Sequence, residues 1–117
     1  MPRSAYDTVY AYVHEMWDKG QPEMIRDLCA DPMIRHYSGK RSELTLEQQI
    51  ARVAELIDAG FSFEDLVLYA NDEFVTQVWN VVGKEGTHKS SGIEVYRVKD
   101  GRIAEVWNAP YGDEHFG

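Results

Sequence analysis

The chain has 117 residues, 44% of them hydrophobic, which is enough for one domain over residues 1–117 and too little for a second core. The chain has 20 acidic and 12 basic residues and therefore a net charge of -8. This negative charge argues against nucleic acid or an anionic membrane as a partner. The single cysteine, Cys29, excludes an internal disulfide, and the start of the chain carries no apolar run typical of a signal peptide. We expect a soluble cytoplasmic domain.

The first part of the chain predicts two helices. Ser4 with Asp7 three residues later resembles a capping box, and apolar residues follow it at helical spacing until Gly20. Gly20 and Pro22 end this helix, and a shorter apolar pattern after them predicts a second helix over residues 23–29. Both helices have one apolar stripe, so each should pack against a core.

A short strand and a third helix come next. Residues 33–37 indicate a brief strand, and the polar residues 38–42 after it indicate a loop. Thr45 and Gln48 form a second capping box, which begins a helix that ends at Gly60.

The second half of the chain changes to the alternation typical of strands. Turn residues separate four runs rich in β-branched and aromatic residues, at 61–69, 73–82, 88–99 and 102–108. Three helices followed by a long antiparallel meander indicate an α+β fold, in which helices pack across the concave side of a curved, mostly antiparallel sheet.

The turn of the last hairpin decides which way Glu94, a carboxylate within its first strand, points. Asp100-Gly101 is a strong turn signal, and a bare two-residue loop there would place Glu94 opposite Trp107. A three-residue loop at 99–101 with a glycine bulge would place Glu94 opposite Val106, and we favour it. It gathers two small residues on the face of Glu94, which leaves room for a ligand.

This register sorts the hairpin into two faces. The inner face holds Gly92, Glu94, Tyr96, Ala104, Val106 and Asn108. The outer face holds Ile93, Val95, Arg97, Ile103, Glu105 and Trp107, and Arg97 can pair with Glu105 across the strands. An apolar setting raises the pKa of a carboxyl group, which suits proton transfer, although a solvent-facing Glu94 is the alternative.

Three segments resemble the nuclear transport factor 2-like superfamily, in particular its SnoaL-like polyketide cyclases and ketosteroid isomerases. The segments are 30–36, 75–80 and the last hairpin from 93–97 through 105–108, and their order and spacing carry the resemblance more than any one motif does. The resemblance implies a cone-shaped sheet with the three N-terminal helices on its concave face, enclosing a deep pocket. It also leaves the chemistry open, because this fold hosts many activities.

The resemblance implies roles for individual residues. Glu94 lies where the isomerases keep a protonated acid that donates to a developing oxyanion, and His36 lies near the position of their general base. A pocket-facing His36 would also turn Ile34 inward and Arg35 outward. The implied substrate-binding residues are Asn108, Gln77, Trp79, Tyr96, Trp17 and Val106.

The chain also departs from both branches of the family. The helix-one tyrosine of the isomerases corresponds to Val13 and its supporting tyrosine to Cys29, so their hydrogen-bond network is missing. The acid-base aspartate of the cyclases corresponds to Asn108, whose amide cannot exchange protons at neutral pH.

These residues predict an enzyme that moves protons on an apolar small molecule bearing a carbonyl or hydroxyl group. His36 would act as base and Glu94 as acid in an isomerase, dehydratase, aldol-type lyase or cyclase. No cofactor is expected, and no metal, because the four histidines lack the spacing of ligand pairs. The alternatives are a non-catalytic ligand-binding or dimerisation module of the same fold and, ranked lower, an epoxide hydrolase.

Two geometric expectations complete the prediction. His36 and Glu94 should face each other across one cavity without touching, because a substrate must fit between the base and the acid. The apolar outer face of the hairpin, with Trp107 on it, should be covered in a homodimer.

Overall fold

A computed structural model describes residues 2–83 and 89–116 of the chain. The first helix, α1, begins as an α-helix and continues as a π-helical segment, and a turn of 3-10 helix leads into α2. The elements are α1 (Ala5–Tyr10), the π-helical segment (Ala11–Met16), the 3-10 turn (Pro22–Met24), α2 (Ile25–Leu28), β1 (Cys29–Tyr37), β2 (Lys40–Leu44), α3 (Leu46–Asp58), β3 (Ser62–Ala70), β4 (Phe74–Val82), β5 (Lys89–Lys99) and β6 (Arg102–Gly112). The predicted first residue of the third run, His88, lies outside the described residues.

The six strands form one sheet in the order β2-β1-β6-β5-β4-β3. Only β1 and β6 run parallel, and every other neighbouring pair is antiparallel. The sheet is curved and not closed, and the helices pack against its concave side, so the predicted α+β fold is confirmed. Within the described residues no helix combines the length and apolarity needed to span a bilayer.

Local capping fixes where two helices begin, as the sequence predicts. Ser4 Oγ accepts a hydrogen bond from the backbone N–H of Asp7 at 3.0 Å. At α3, Thr45 Oγ1 accepts from the Gln48 N–H at 3.2 Å, and Gln48 Oε1 accepts from the Thr45 N–H at 2.9 Å. These bonds satisfy backbone donors that the first helical turn leaves unpaired.

The predicted loop at 38–42 is wrong, because most of it belongs to strand β2. A tight turn with positive φ at Ser38 and Gly39 folds the chain back, and β2 pairs antiparallel with β1. Most of β2 is exposed, so its side chains show no alternation of apolar and polar residues. An edge strand of this kind gives no periodic signal in the sequence.

The predicted three-residue turn of the last hairpin is also wrong. Asp100 and Gly101 form a two-residue turn, both with positive φ, and Lys99 pairs with Arg102 across it. A bulge follows, because the partner changes from residue 103 for Val98 to residue 105 for Arg97. The extra residue in β6 increases the local twist of the hairpin.

The bulge shifts the register but keeps the predicted inner face. Glu94 pairs with Asn108 rather than with Val106, a displacement of two residues. Because side chains alternate with a period of two, this displacement leaves the same side chains facing inward. Ile103, which lies before the bulge, is the exception: it was predicted to face out and is fully buried.

Candidate active site

A cavity of about 440 Å³ lies between the helices and the concave face of the sheet. Aromatic and aliphatic side chains form most of its wall, which suits an apolar ligand. They include Tyr12, Trp17, Leu56, Phe61, Phe63, Trp79 and Tyr96. Glu94, Arg35, Arg52 and Asn108 add charge and polarity to this wall.

Glu94 is a buried carboxyl group on this wall. It lies in the middle of β5, between Gln77 on β4 and Asn108 on β6, and only 6% of the residue is exposed. Burial raises the pKa of Glu94, and the positive charges of Arg35 and Arg52 oppose that shift without cancelling it. The carboxyl group is therefore poised for proton transfer closer to neutral pH than an exposed glutamate.

Arg35 supplies a buried positive charge beside Glu94. Its guanidinium Nη1 lies 4.0 Å from Glu94 Oε2, and both side chains are 7% exposed. This distance exceeds that of a hydrogen bond. The Tyr37 ring lies 6.0 Å from the guanidinium carbon. In the part of the chain that the structure describes, no hydrogen bond engages the guanidinium, so its donors remain available to a ligand.

The prediction that His36 faces the pocket and Arg35 faces outward is wrong. His36 lies on the outer face, where Nε2 is 2.7 Å from Glu105 Oε2 and the ring stacks on Trp107 at a centroid distance of 5.3 Å. Parallel pairing with β6 explains this, because Arg35 pairs with Val106 and His36 with Trp107. Paired residues project from the same face of a sheet, and Val106 is on the buried side.

Because His36 lies outside the cavity, the expectation that His36 and Glu94 face each other across it is wrong too. Instead, His36 belongs to a polar cluster on the outer face with Glu105 and Arg97. The hydrogen bond from His36, aided by Arg97, lowers the pKa of Glu105. Arg97 Nε lies 3.2 Å from Glu105 Oε1, so the predicted cross-strand pair of Arg97 and Glu105 is present.

The predicted substrate-binding residues divide into two groups. Trp17, Trp79, Tyr96 and Asn108 line the cavity. Gln77 and Val106 face the concave side but are buried beneath other side chains and do not reach the cavity. Whether the lining residues bind a substrate stays a prediction.

Two polar atoms of the wall make no direct hydrogen bond. Trp79 Nε1 and Asn108 Oδ1 are buried and have no hydrogen-bond partner of standard geometry among the described residues, although the Trp79 N–H is near enough to the Glu94 carboxyl group to lower its pKa. Buried polar groups are nearly always hydrogen-bonded, so an unpaired donor and acceptor on a pocket wall are natural contacts for a ligand. The Trp79 N–H could donate to a ligand oxygen, and Asn108 Oδ1 could accept from a ligand hydroxyl group.

The sequence did not point to three polar residues of the wall: Arg35, Arg52 and Tyr12. Arg52 and Tyr12 were part of amphipathic helices, and helical spacing alone does not separate a pocket wall from a core. Burial raises the pKa of Tyr12 to about 12, and it raises the pKa of Tyr96 well above its usual value. Both phenols therefore stay neutral at physiological pH, which leaves Glu94 as the group suited to exchange protons there.

Metal ligands are not gathered at this site. Over residues 2–83 and 89–116, no three His, Cys, Asp or Glu side chains lie together in a way that could hold a metal ion. The free thiol of Cys29 is buried, and burial raises its pKa to about 12. Cys29 is therefore a poor nucleophile and a poor ligand at neutral pH.

An open, curved six-stranded sheet with three helices over an aromatic pocket is the fold of the nuclear transport factor 2-like proteins. The family model described as SnoaL-like domain matches residues 9–106 of the chain. The protein belongs to this SnoaL-like family. No curated protein matches the sequence significantly.

Solved structures with the same fold include three from bacteria. A SnoaL-like polyketide cyclase from Agrobacterium tumefaciens matches with a TM-score of 0.76 and 11% identity over 93% of this chain and 92% of its own. A candidate polyketide cyclase from Acidithiobacillus ferrooxidans matches with 0.75 and 21% identity over 94% and 91%. An NTF2-like protein of unknown function from Cytophaga hutchinsonii matches with 0.73 and 12% over 93% and 92%. At these identities the likeness establishes the fold.

Proposed function

We propose that the protein is an acid/base enzyme that acts, without a cofactor, on an apolar small molecule bearing a carbonyl or hydroxyl group. The observation that carries the proposal is Glu94, a carboxyl group buried on the wall of an aromatic cavity with its pKa raised. A carboxyl group whose pKa approaches the working pH is an efficient general acid or base. Glu94 takes over both proton-transfer roles, since His36 lies outside the cavity.

Arg35 supports this chemistry by binding an oxygen atom of the substrate. Its guanidinium is permanently charged, lies 4.0 Å from Glu94 and makes no hydrogen bond to another described side chain. A carbonyl oxygen held there would be polarised, and the negative charge that develops when a neighbouring carbon loses its proton would be stabilised. The Trp79 N–H, which lies near Glu94 and makes no direct hydrogen bond, offers a second donor on the same wall.

The proposed cycle needs one group that both takes and gives a proton. Ionised Glu94 removes a proton from the carbon next to the carbonyl, and the electron pair of that C–H bond moves into the enolate. In an unsaturated ketone, protonated Glu94 then returns the proton to the far carbon of the conjugated dienolate, which is an isomerisation. In a β-hydroxy ketone it gives the proton to the hydroxyl group, which leaves as water while the enolate electron pair forms the C=C bond, which is a dehydration. In aldol cleavage Glu94 would instead take the proton of the β-hydroxyl group as the C–C bond breaks, and in an aldol-type cyclisation the enolate carbon would attack a second carbonyl carbon of the same molecule.

Exchange of α-hydrogens tests this proposal without knowledge of the natural substrate. α-Tetralone, an apolar bicyclic ketone, is incubated with the protein in deuterium oxide, and loss of its α-hydrogen signals is followed by proton NMR. We expect exchange well above the buffer rate, reduced on the order of a hundredfold or more in both Glu94→Gln and Glu94→Ala. Glu105→Gln is the matched control, because Glu105 lies on the outer face.

Three results would contradict parts of the proposal. If Glu94→Gln kept the activity that Glu94→Ala loses, Glu94 would act as a hydrogen-bond donor and not as a base. If Glu105→Gln lost activity as well, the cavity would not be the site. Binding of α-tetralone measured by calorimetry, with exchange no faster than in buffer, would favour the alternative, a ligand-binding module that keeps the pocket without the chemistry.

A further inference from the structure

Four side chains form a hydrogen-bonded chain from the protein surface to the cavity wall. His14 Nε2 contacts Asp65 Oδ2, Gln77 Nε2 donates to Asp65 Oδ1 at 2.7 Å, and the Tyr96 hydroxyl donates to Gln77 Oε1 at 2.6 Å. Gln77 is fully buried, whereas His14 is partly exposed and also contacts Asp18 at 3.4 Å. The inner end of this chain, Tyr96, stands two residues from Glu94 on the same face of β5.

Two irregularities of the backbone bring the outer members of this chain together. His14 lies on the π-helical segment that continues α1, and Asp65 lies at a bulge of β3. At the bulge, Asp65 pairs with Trp79 and Val67 with Val78, so one residue of β3 is extra. π-helical turns and bulges frequently re-aim a side chain next to a functional site.

The chemistry of these four side chains fixes which group donates and which accepts in each of their hydrogen bonds. An ionised carboxylate only accepts hydrogen bonds, so Gln77 must present its NH₂ group to Asp65. The carbonyl oxygen of the same amide then faces Tyr96 and accepts its hydroxyl hydrogen. A hydroxyl group has one hydrogen, so Tyr96 cannot also donate to Glu94.

We propose that Asp65 and Gln77 are positioning residues that turn the hydroxyl hydrogen of Tyr96 away from Glu94. This inference rests on the proposed function, in which Glu94 exchanges protons with a substrate. The groups that face Glu94 are Arg35 from β1, Arg52 from α3, Tyr12 from the π-helical segment, Trp79 from β4 and Tyr96 from its own strand. Among these groups, Tyr96 donates its hydroxyl hydrogen to a side chain other than Glu94, the amide oxygen of Gln77.

The direction of this hydrogen matters for the chemistry of the site. The Tyr96 hydroxyl is close enough to lower the pKa of Glu94 when it donates to the carboxylate. Burial is the largest cause of the raised pKa of Glu94, and a hydrogen bond from Tyr96 opposes it. Donation to Gln77 withholds that opposing hydrogen bond, so the pKa of the carboxyl group moves further in the direction that proton exchange near neutral pH requires. The same Tyr96 oxygen can accept a hydrogen bond from protonated Glu94.

The sign of one pKa change tests the inference. In Gln77→Leu the amide oxygen is gone, the Tyr96 hydroxyl is free to donate to Glu94, and the pKa of Glu94 should fall by on the order of one unit. Leucine makes the surroundings more apolar, which by itself would raise the pKa, so the two explanations differ in direction. Carbon-13 NMR titration of the glutamate side chains, assigned with Glu94→Gln, measures it in the full chain.

Further variants keep the test decisive. Adding Tyr96→Phe to Gln77→Leu should reverse the fall, because phenylalanine has no hydrogen to donate. Asp65→Leu, at a partly exposed position, should also lower the pKa of Glu94, since Gln77 is then free to turn its NH₂ group towards Tyr96. A folded Gln77→Leu or Asp65→Leu protein with an unchanged or higher pKa at Glu94 would overturn the inference.

The titration needs no substrate, so it separates this inference from the proposed function. Expected pKa changes without any exchange of α-hydrogens by the parent protein would support the positioning roles and refute the enzymatic proposal. Normal exchange by the parent protein with an unmoved Glu94 pKa in both variants would refute the positioning roles alone.

Discussion

Replacing Glu94 by glutamine should make the protein more stable at neutral and alkaline pH. Glutamine has nearly the same size and resembles the protonated carboxyl group, so the variant avoids burying a charge. Below the ordinary glutamate pKa near 4.5, Glu94 is protonated in both the folded and the unfolded chain. As the pH rises past that value, the unfolded chain releases its proton first, and the free energy of unfolding of the parent protein falls. The fall ends once the pH exceeds the raised pKa of the folded state.

The size of this effect follows from linkage. Each unit by which the folded-state pKa exceeds the unfolded value lowers the stability above both pKa values by about 1.4 kcal/mol. The attraction of Arg35, 4.0 Å from the carboxylate, is already contained in the folded-state pKa. At alkaline pH, Glu94→Gln should therefore be more stable than the parent by about 1.4 kcal/mol for each unit by which the Glu94 pKa measured by NMR exceeds the unfolded value.

Urea unfolding followed by the fluorescence of the three tryptophans provides the assay at acidic, neutral and alkaline pH. Glu105→Gln is the matched control, with the opposite sign. Because its hydrogen bond with His36 and the nearby Arg97 lower the pKa of Glu105, that carboxylate stabilises the fold above the ordinary pKa. The control variant should be less stable than the parent at neutral pH and should converge with it as the pH falls through the lowered pKa.

A result of the wrong sign would refute the reasoning. If Glu94→Gln were less stable than the parent at alkaline pH, attraction to Arg35 would outweigh burial, and Glu94 would be a permanently ionised partner of an ion pair. The carboxyl group would then have no raised pKa, and the proposed acid/base role would lose its physical basis.

Three further predictions concern other parts of the fold. Gly92→Ala would place a methyl group 2.4 Å from Trp79 Cζ2 and 2.9 Å from a backbone oxygen, so it should destabilise the protein by about 1–3 kcal/mol and weaken binding of α-tetralone; wild-type stability in urea would contradict this. We propose a homodimer through the outer face, where Trp107 and Ile93 are 36% and 44% exposed, and sedimentation equilibrium should detect a dimer that Trp107→Ala weakens; a monomer at micromolar concentration would rule it out. Thr45→Ala removes the capping box of α3 and should cost about 1 kcal/mol, which unaltered urea midpoints would disprove.

Much of the fold could be predicted because its signals are local. The two helix starts are set by side chains three residues apart, and the strands of the meander alternate with a period of two. Even the error in the last hairpin did little harm, because the bulge moved the partner of Glu94 by two residues, from Val106 to Asn108. An error of one residue would have turned Glu94 outward.

The candidate site was less predictable because its decisive contacts are distant in sequence. In β1, apolar residues occupy both alternating sets, with Met33 in one and Ile34 in the other, so the pattern alone cannot decide between Arg35 and His36. The parallel pairing with β6 decides it, and that pairing joins segments about 70 residues apart. The contact between His14 and Asp65 depends on a π-helical turn and a bulge, neither of which has a periodic signature.

The two faces of β5 and β6 give their glutamates opposite roles. On the outer face Glu105 is ionised beside His36 and Arg97 and supports the fold. On the inner face Glu94 is buried in the cavity wall, where the charges of Arg35 and Arg52 do not cancel the effect of burial, so its ionisation is unfavourable for folding. Its neighbour Tyr96 donates to Gln77. If ionised Glu94 is the base, the pH range over which activity rises must be the range over which stability approaches its lower plateau, since both report the same carboxyl group. Activity that rises with pH around a value different from the NMR pKa of Glu94 in the substrate-free protein would show that another group takes the proton.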